Sequence, residues 1–229
     1  VGNPQDKLRF IHVAGTNGKG STSTMTACML SAAGYKTGLF TSPYVIDFRE
    51  RLQIDGEMIP PDELAAVVAR VKSACDKLDK RGIVATEFET LTAAAFLWYK
   101  ERKCDVVVLE VGLGGLLDST NIIKTPLVSV ITSISTDHTA ILGDTLSEIA
   151  TQKCGIIKPD GVTVMYPEQS PEALSVITET AERKHNRLVV PDVGACHVVD
   201  ETVRGTDVIF DSLKLHIPFA GDHMIKNAL

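Results

Sequence analysis

Cysteine is sparse in this sequence: five in 229 residues (Cys28, Cys75, Cys104, Cys154 and Cys196), odd in number and never spaced as C-x-x-C. That excludes a disulfide framework and a thiolate zinc site, and it reads as reduced cytoplasmic thiols. Positive charge is also short. Twenty-three basic against twenty-nine acidic residues leave a net charge of −6, so no basic field exists to hold a nucleic-acid backbone or an anionic membrane. A small anion can still be bound by a few backbone amides. The most apolar stretch, 106–117, is interrupted by Glu110 and three glycines and is too short for a bilayer span. The first nine residues lack the positive-then-apolar order of a secretory signal. Internal repeats and low-complexity segments are missing as well. What is there is 44% hydrophobic, 23% charged and 5% aromatic, an ordinary globular composition in a chain long enough for one large α/β domain with a small appendage. The chain opens on Val1 and closes on Ala228–Leu229 in what reads as a helix just beginning, which suggests a portion of something longer.

Strand-type runs at 8–14, 36–41, 104–111, 127–132 and 162–165 alternate with helix-type stretches at 19–33, 61–81, 87–102, 146–156 and 171–184. The first helix takes its register from Met25, Cys28, Met29 and Ala32, and the second from Leu64, Val67, Val68 and Val71. Residues 42–61, with Pro43, Gly56, Pro60 and Pro61, read as a long loop of the kind that is more often functional than idle. Past Leu188 the texture changes to short β-runs at 196–199, 207–210 and 213–217 with no helix between them. The expected fold is therefore α/β: a mostly parallel sheet flanked by helices over residues 1–186, then a small antiparallel β appendage over 187–220.

The most informative segment joins the first strand to the first helix: Val13-Ala14-Gly15-Thr16-Asn17-Gly18-Lys19-Gly20-Ser21. Glycines let the backbone close around phosphate oxygens, the helix start offers unpaired N–H groups, and Lys19 brings a point charge. A strict Walker pattern needs a glycine six residues before the lysine and Ser or Thr directly after it. Val13 and Gly20 stand in those places, with Ser21 one residue late. The competing reading is a glycine-rich turn with a solvent lysine. Glu110 ends an otherwise apolar run, where parallel sheets place their ligand crevice. Burial without a partner is costly, so it either holds a cation such as Mg²⁺ or caps the glycine turn that follows. His138, after Asp137 and the next strand, emerges at the same edge; a lone histidine there is more often structural than a ligand.

The strings GTNGKGS, TSPYVIDFRERLQIDG, TEFETLTAAAF, EVGLGGLLDSTN, STDHTAILGDTLSEIATQKCGIIKP and GDHMIKNAL, in this order across nearly the whole chain, resemble the folylpolyglutamate synthase / dihydrofolate synthase family of the Mur ligase superfamily. The resemblance is to the ATPase domain only; the family's C-terminal, glutamate-binding domain has no counterpart here. It implies nucleotide binding by Gly15, Thr16, Asn17, Gly18, Lys19, Gly20, Ser21 and, toward adenine, Asn227. Metal sites are implied at Ser42, Glu110, His138 and Lys153, for two Mg²⁺ ions. Lys153, otherwise an ordinary solvated helix lysine, would carry CO₂ as a carbamate, because an ammonium has no lone pair to give a metal. Thr86, Phe88 and Asp118 match the pterin pocket, and Arg51 matches a loop arginine facing an anionic group.

The activity implied is ATP-dependent amide formation through an acyl phosphate, with Lys19, Glu110, His138 and Lys153 as the catalytic set. The substrates implied are ATP, folate or dihydropteroate, and L-glutamate. No nucleic-acid or membrane partner is expected; the expected protein is monomeric and cytoplasmic. Three alternatives stand beside this reading. A cell-wall ligase of the Mur type is disfavoured by TEFE and LDSTN, and a P-loop kinase or GTPase by the missing Lys-Ser/Thr pair. The third is a non-catalytic nucleotide-binding module.

Overall fold

A computed structural model describes residues 1–136 and 139–229. Its main sheet has eight strands: β1 (Phe10–Ala14), β2 (Thr37–Phe40), β3 (Leu52–Ile54), β4 (Glu57–Met58), β5 (Val106–Glu110), β6 (Val128–Ile131), β7 (Val162–Met165) and β8 (Arg187–Val189). They lie in the order β4-β3-β2-β5-β1-β6-β7-β8, parallel from β2 to β8, with β3 and β4 added antiparallel at one edge. Every residue of β5 is buried, as its run of valines requires in a strand covered on both faces.

Alternation along the strands assigns the two faces. Val13, Leu39 and Val108 point toward α1 (Lys19–Ala32). Phe10, Phe40, Val107 and Leu109 point the other way, against α2 (Pro61–Asp79) and α3 (Glu87–Glu101). On that same face, further along, a second cluster gathers Ala14, Ile131 and Met165 with α5 (Leu146–Lys153) and α6 (Pro171–Arg183). A short helix α4 (Thr139–Leu142) precedes α5. The appendage is a meander of β9 (Cys196–Thr202), β10 (Gly205–Phe210) and β11 (Leu213–Ile217), followed by α7 (Asp222–Ala228), which packs on α1.

The structure corrects three expectations. The stretch 42–61 is not all loop: Leu52 and Ile59 are fully buried, and β3–β4 form a hairpin paired to β2. Its turn, Asp55–Gly56, has positive φ at both residues, as two-residue hairpins demand. The first helix faces the sheet with Ser23 and Ala27, not with Cys28 and Met29, which are exposed. Small side chains let α1 approach the sheet closely, and Met25 instead packs toward α7. Arg187–Val189, finally, pairs with β7, so the main sheet extends past residue 186.

Candidate active site

β1 lies between β5 and β6, and its register sets Val13 beside Glu110 and Ala14 beside Ile131. The C-terminal ends of three strands therefore meet where the order of connections switches sides, the usual place for a ligand crevice in an open α/β sheet. The Gly15–Gly18 loop leaves β1 at that point. Gly15, at φ +153, admits no side chain, because a Cβ there would stand 1.8 Å from Thr132 Oγ1. Thr16 and Asn17 donate their N–H groups to the Ser133 carbonyl at 2.8 and 3.3 Å. The Thr16 hydroxyl donates to the Ser135 carbonyl and accepts from the Ser135 N–H. Pinned in this way, the loop ends in Gly18, in the left-handed region, and α1 begins without a side-chain cap. First-turn N–H groups left so are an anion-binding device.

Lys19 Nζ donates to the carbonyls of Gly15 and Thr16, both at 3.1 Å, which holds the ammonium folded back across the loop. Lys153 reaches the same carbonyl from the far side: its side chain is 1% exposed and its Nζ donates to Gly15 O at 2.7 Å. Lys153 is therefore not the solvated helix lysine that stood as the alternative to a carbamate. A capping box of Thr145 and Glu148 starts the helix that carries it.

Glu110 is buried at 3% exposure, with Oε2 accepting the Ser42 N–H at 3.1 Å. Desolvation pushes its carboxyl up to about 7, against the Ser42 N–H and the charge of Lys19, which favour ionisation. A Cβ at Gly20 would lie 3.8 and 3.9 Å from its two oxygens, so Glu110 faces the start of α1 across open backbone. The donor chemistry, a buried carboxylate beside a serine and a phosphate-type loop, is hard oxygen and suits Mg²⁺. Among the described residues no group of three or more His, Cys, Asp and Glu side chains is gathered to hold a metal. His138 lies outside the described residues.

Asn227 arrives on α7: its carbonyl accepts the Thr22 hydroxyl at 3.1 Å, and its side chain lies over Gly18, where a Cβ would be 2.5 Å from Asn227 Oδ1. Next to it, Thr22, Thr26, Met29, Tyr166 and Pro167 line a cleft of about 210 Å³. On the other side of the sheet edge, Thr86, Phe88 and Asp118 line one cleft of about 360 Å³ with Leu113, Leu142 and Gln152. Phe88 packs on Phe40 with ring centroids 5.8 Å apart. Gly112, two residues beyond Glu110, has no room for a side chain: a Cβ would meet Phe88 Cζ at 2.6 Å and Asp118 Oδ2 at 3.2 Å.

Two of the expected residues have partners within the protein. The Thr86 hydroxyl is engaged as the N-cap of α3, accepting from Glu89 N at 3.2 Å while Glu89 answers in a capping box, so Thr86 shapes the cleft wall through its place on the helix. Arg51 stands outside that cleft. Its guanidinium lies over the rings of Tyr44 and Phe48 at 5.2 and 5.3 Å and is 3.9 Å from Glu87 Oε1. Sequence reasoning missed the Thr132–Ser135 segment that clamps the loop, although a run of hydroxyl residues directly after a buried strand was a usable signal. It also missed His12, the one titratable residue within β1.

The Mur ligase middle domain model matches residues 13–229. The dihydrofolate synthase/folylpolyglutamate synthase of Bacillus subtilis (strain 168) is 49% identical over 185 residues, 80% of this chain and 43% of that protein. A structure of Mycobacterium tuberculosis folylpolyglutamate synthase complexed with ADP and AMPPCP superposes with a TM-score of 0.88 at 34% identity, covering 99% of this chain and 54% of that one. A folylpolyglutamate synthase–AMPPCP–folate complex gives a TM-score of 0.89 at 37% identity, covering 99% and 57%. The chain spans about half the length of the relatives it matches.

Proposed function

Since the chain belongs to the Mur ligase family, in the branch of folylpolyglutamate and dihydrofolate synthases, we propose that it is the ATPase domain of a ligase joining L-glutamate to the carboxylate of a folate or dihydropteroate. The observation that carries this reading is the meeting, at one sheet edge, of the uncapped Lys19 loop, buried Glu110 and Lys153, and the cleft of Phe88 and Asp118. A carboxylate is a poor electrophile. Its oxygen attacks the γ-phosphorus, the bond to ADP breaks, and an acyl phosphate forms. The glutamate amine then attacks the acyl carbon, inorganic phosphate leaves, and the amine gives up a proton. Phosphoryl transfer rests on positioning and charge neutralisation more than on covalent help from the protein.

Lys19 and the first-turn N–H groups of α1 would hold the terminal phosphates, with the base against Asn227. Glu110 and Ser42 would hold Mg²⁺, which when bound neutralises charge on the phosphate oxygens. Carbamylated Lys153 would keep one N–H for Gly15 O while its new oxygens serve a second ion with His138. Phe88 would stack on the pterin and Asp118 would accept its N–H donors. The free thiols support a reducing, cytoplasmic setting; among the described residues no helix is long and apolar enough to cross a membrane.

The deciding experiment feeds the complete protein ATP, labelled glutamate and either dihydropteroate or tetrahydrofolate. One ADP per glutamate incorporated is expected; no acceptor-dependent ADP with either pterin would defeat the reading.

A further inference from the structure

We propose that His12 is a positioning residue for the acceptor: through the Thr120 hydroxyl it fixes which oxygen of Asp118 faces the ring-binding cleft. This inference rests on the functional reading above.

β1 is otherwise apolar, Phe-Ile-His-Val-Ala, and the His12 ring within it is fully buried. Its Nε2 lies 2.9 Å from Thr120 Oγ1. Thr120 has one hydroxyl proton, and it goes to Asp118 Oδ1 at 2.5 Å, because the carboxylate only accepts. The imidazole must therefore donate from Nε2, which fixes the tautomer and leaves Nδ1 a buried acceptor with no hydrogen-bond partner among the described residues. An unpaired buried acceptor is destabilising, and an aliphatic side chain would continue the strand pattern without it. The fold alone gives no reason for a histidine here.

The chain of contacts gives one. Asp118 Oδ1 takes both the N–H and the O–H of Thr120, whereas among the described residues Oδ2 takes only the Leu113 N–H at 2.9 Å. Oδ1 is thus filled by the protein, and Oδ2, beside Phe88 and Gly112, keeps a lone pair for a ligand N–H. With His12 donating into the Thr120 oxygen, the hydroxyl proton cannot turn away from Asp118. The adjacent residue is clamped too, since Lys158 Nζ donates to Asn121 Oδ1 at 2.8 Å. Burial, reinforced by the charge of Lys158, holds His12 down at about 3, so it is a neutral donor throughout the working pH range.

Steady-state kinetics of the complete protein, varying a folate acceptor and ATP separately, test this. His12→Leu removes the donor at similar volume, His12→Gln restores an N–H near the Nε2 position, and Thr120→Val removes the relay. Expected are a rise of about tenfold or more in acceptor KM for His12→Leu and Thr120→Val, a change of less than about twofold in KM for ATP, and recovery of most of the loss in His12→Gln. Unchanged acceptor KM in folded His12→Leu, or parallel rises in both KM values with no rescue by Gln, would make His12 a core residue only. If His12→Leu does not fold, Thr120→Val decides by the same split. An unaltered protein that releases no ADP with any folate acceptor would defeat the functional reading, and this inference with it.

Discussion

Lys19 and Lys153 converge on one carbonyl oxygen, that of Gly15, so two N–H donors brace the loop before any phosphate arrives. Replacing Lys19 by Ala should lower kcat/KM for ATP by on the order of 10²–10³ while shifting stability by no more than about 1 kcal/mol, read from nucleotide-dependent turnover and urea unfolding. Two buried titratable groups should also leave opposite marks on the metal-free protein. Glu110, raised from 4.5 to about 7, binds a proton in the folded state that the unfolded chain has already lost. Its contribution is complete below pH 4.5 and disappears as pH rises through 7. His12, lowered from 6.5 to about 3, does the reverse: its contribution is complete above pH 6.5 and is lost as pH falls toward 3. Between pH 4.5 and 6.5 the two slopes oppose each other. Glu110→Gln should therefore leave a stability that climbs with pH across that window, and His12→Gln one that declines across it. Chelator-treated unfolding curves that keep the same slope in both variants would contradict this assignment. Glu110 was legible in the sequence, because a carboxylate ending an apolar run is costly to bury without a purpose. His12 was not, because its meaning lies in Thr120 and Asp118, more than a hundred residues away and joined to it only by the fold.

At the level of elements, the strand–helix alternation was readable because each element carries its own punctuation: Gly34 at φ +90 after α1, Pro61 at the start of α2, Ser170 capping α6. The register of α1 was not. Met25, Cys28 and Met29 recur at helical spacing, yet the sheet wants the small face, Ser23 and Ala27, because close approach of helix and strand excludes long side chains. The β3–β4 hairpin was passed over although Asp55–Gly56 marks its turn, since prolines on both sides weighed toward loop. Thr86 illustrates how an element role and a site role compete for one hydroxyl. As the cap of α3 it should cost about 1 kcal/mol of stability when replaced by Ala, with acceptor KM nearly unchanged. The converse, a raised acceptor KM at full stability, would return Thr86 to the pterin and remove the cap from the explanation.

For the molecule as a whole, the question is whether these elements are enough for ligation. On the proposed reading a nucleotide and a flat ring each have a place, but glutamate would bring two carboxylates that need cations. Among the described residues near the sheet edge the candidates are already committed: Lys19 to the loop and, on the proposed reading, to phosphate, Arg49 to Asp47, and Arg51 to Tyr44, Phe48 and Glu87, while Lys153 as a carbamate would carry no positive charge. The meander and α7 also leave Val198, Val199, Val203, Leu213 and Phe219 exposed. The relatives devote about as much chain again to parts not matched here. Taken alone, the 229 residues should bind a triphosphate analogue yet ligate glutamate slower than the complete protein by on the order of 10⁵-fold, the advantage forfeited when the amine is no longer held beside the acyl carbon. Titration with the analogue and a labelled-glutamate assay on the same preparation separate the two halves of this statement. Binding without turnover is the expected pair. Turnover comparable to the complete protein would mean that these engaged cations release their partners to take the amino acid, and the division of labour drawn from this site would have to be abandoned.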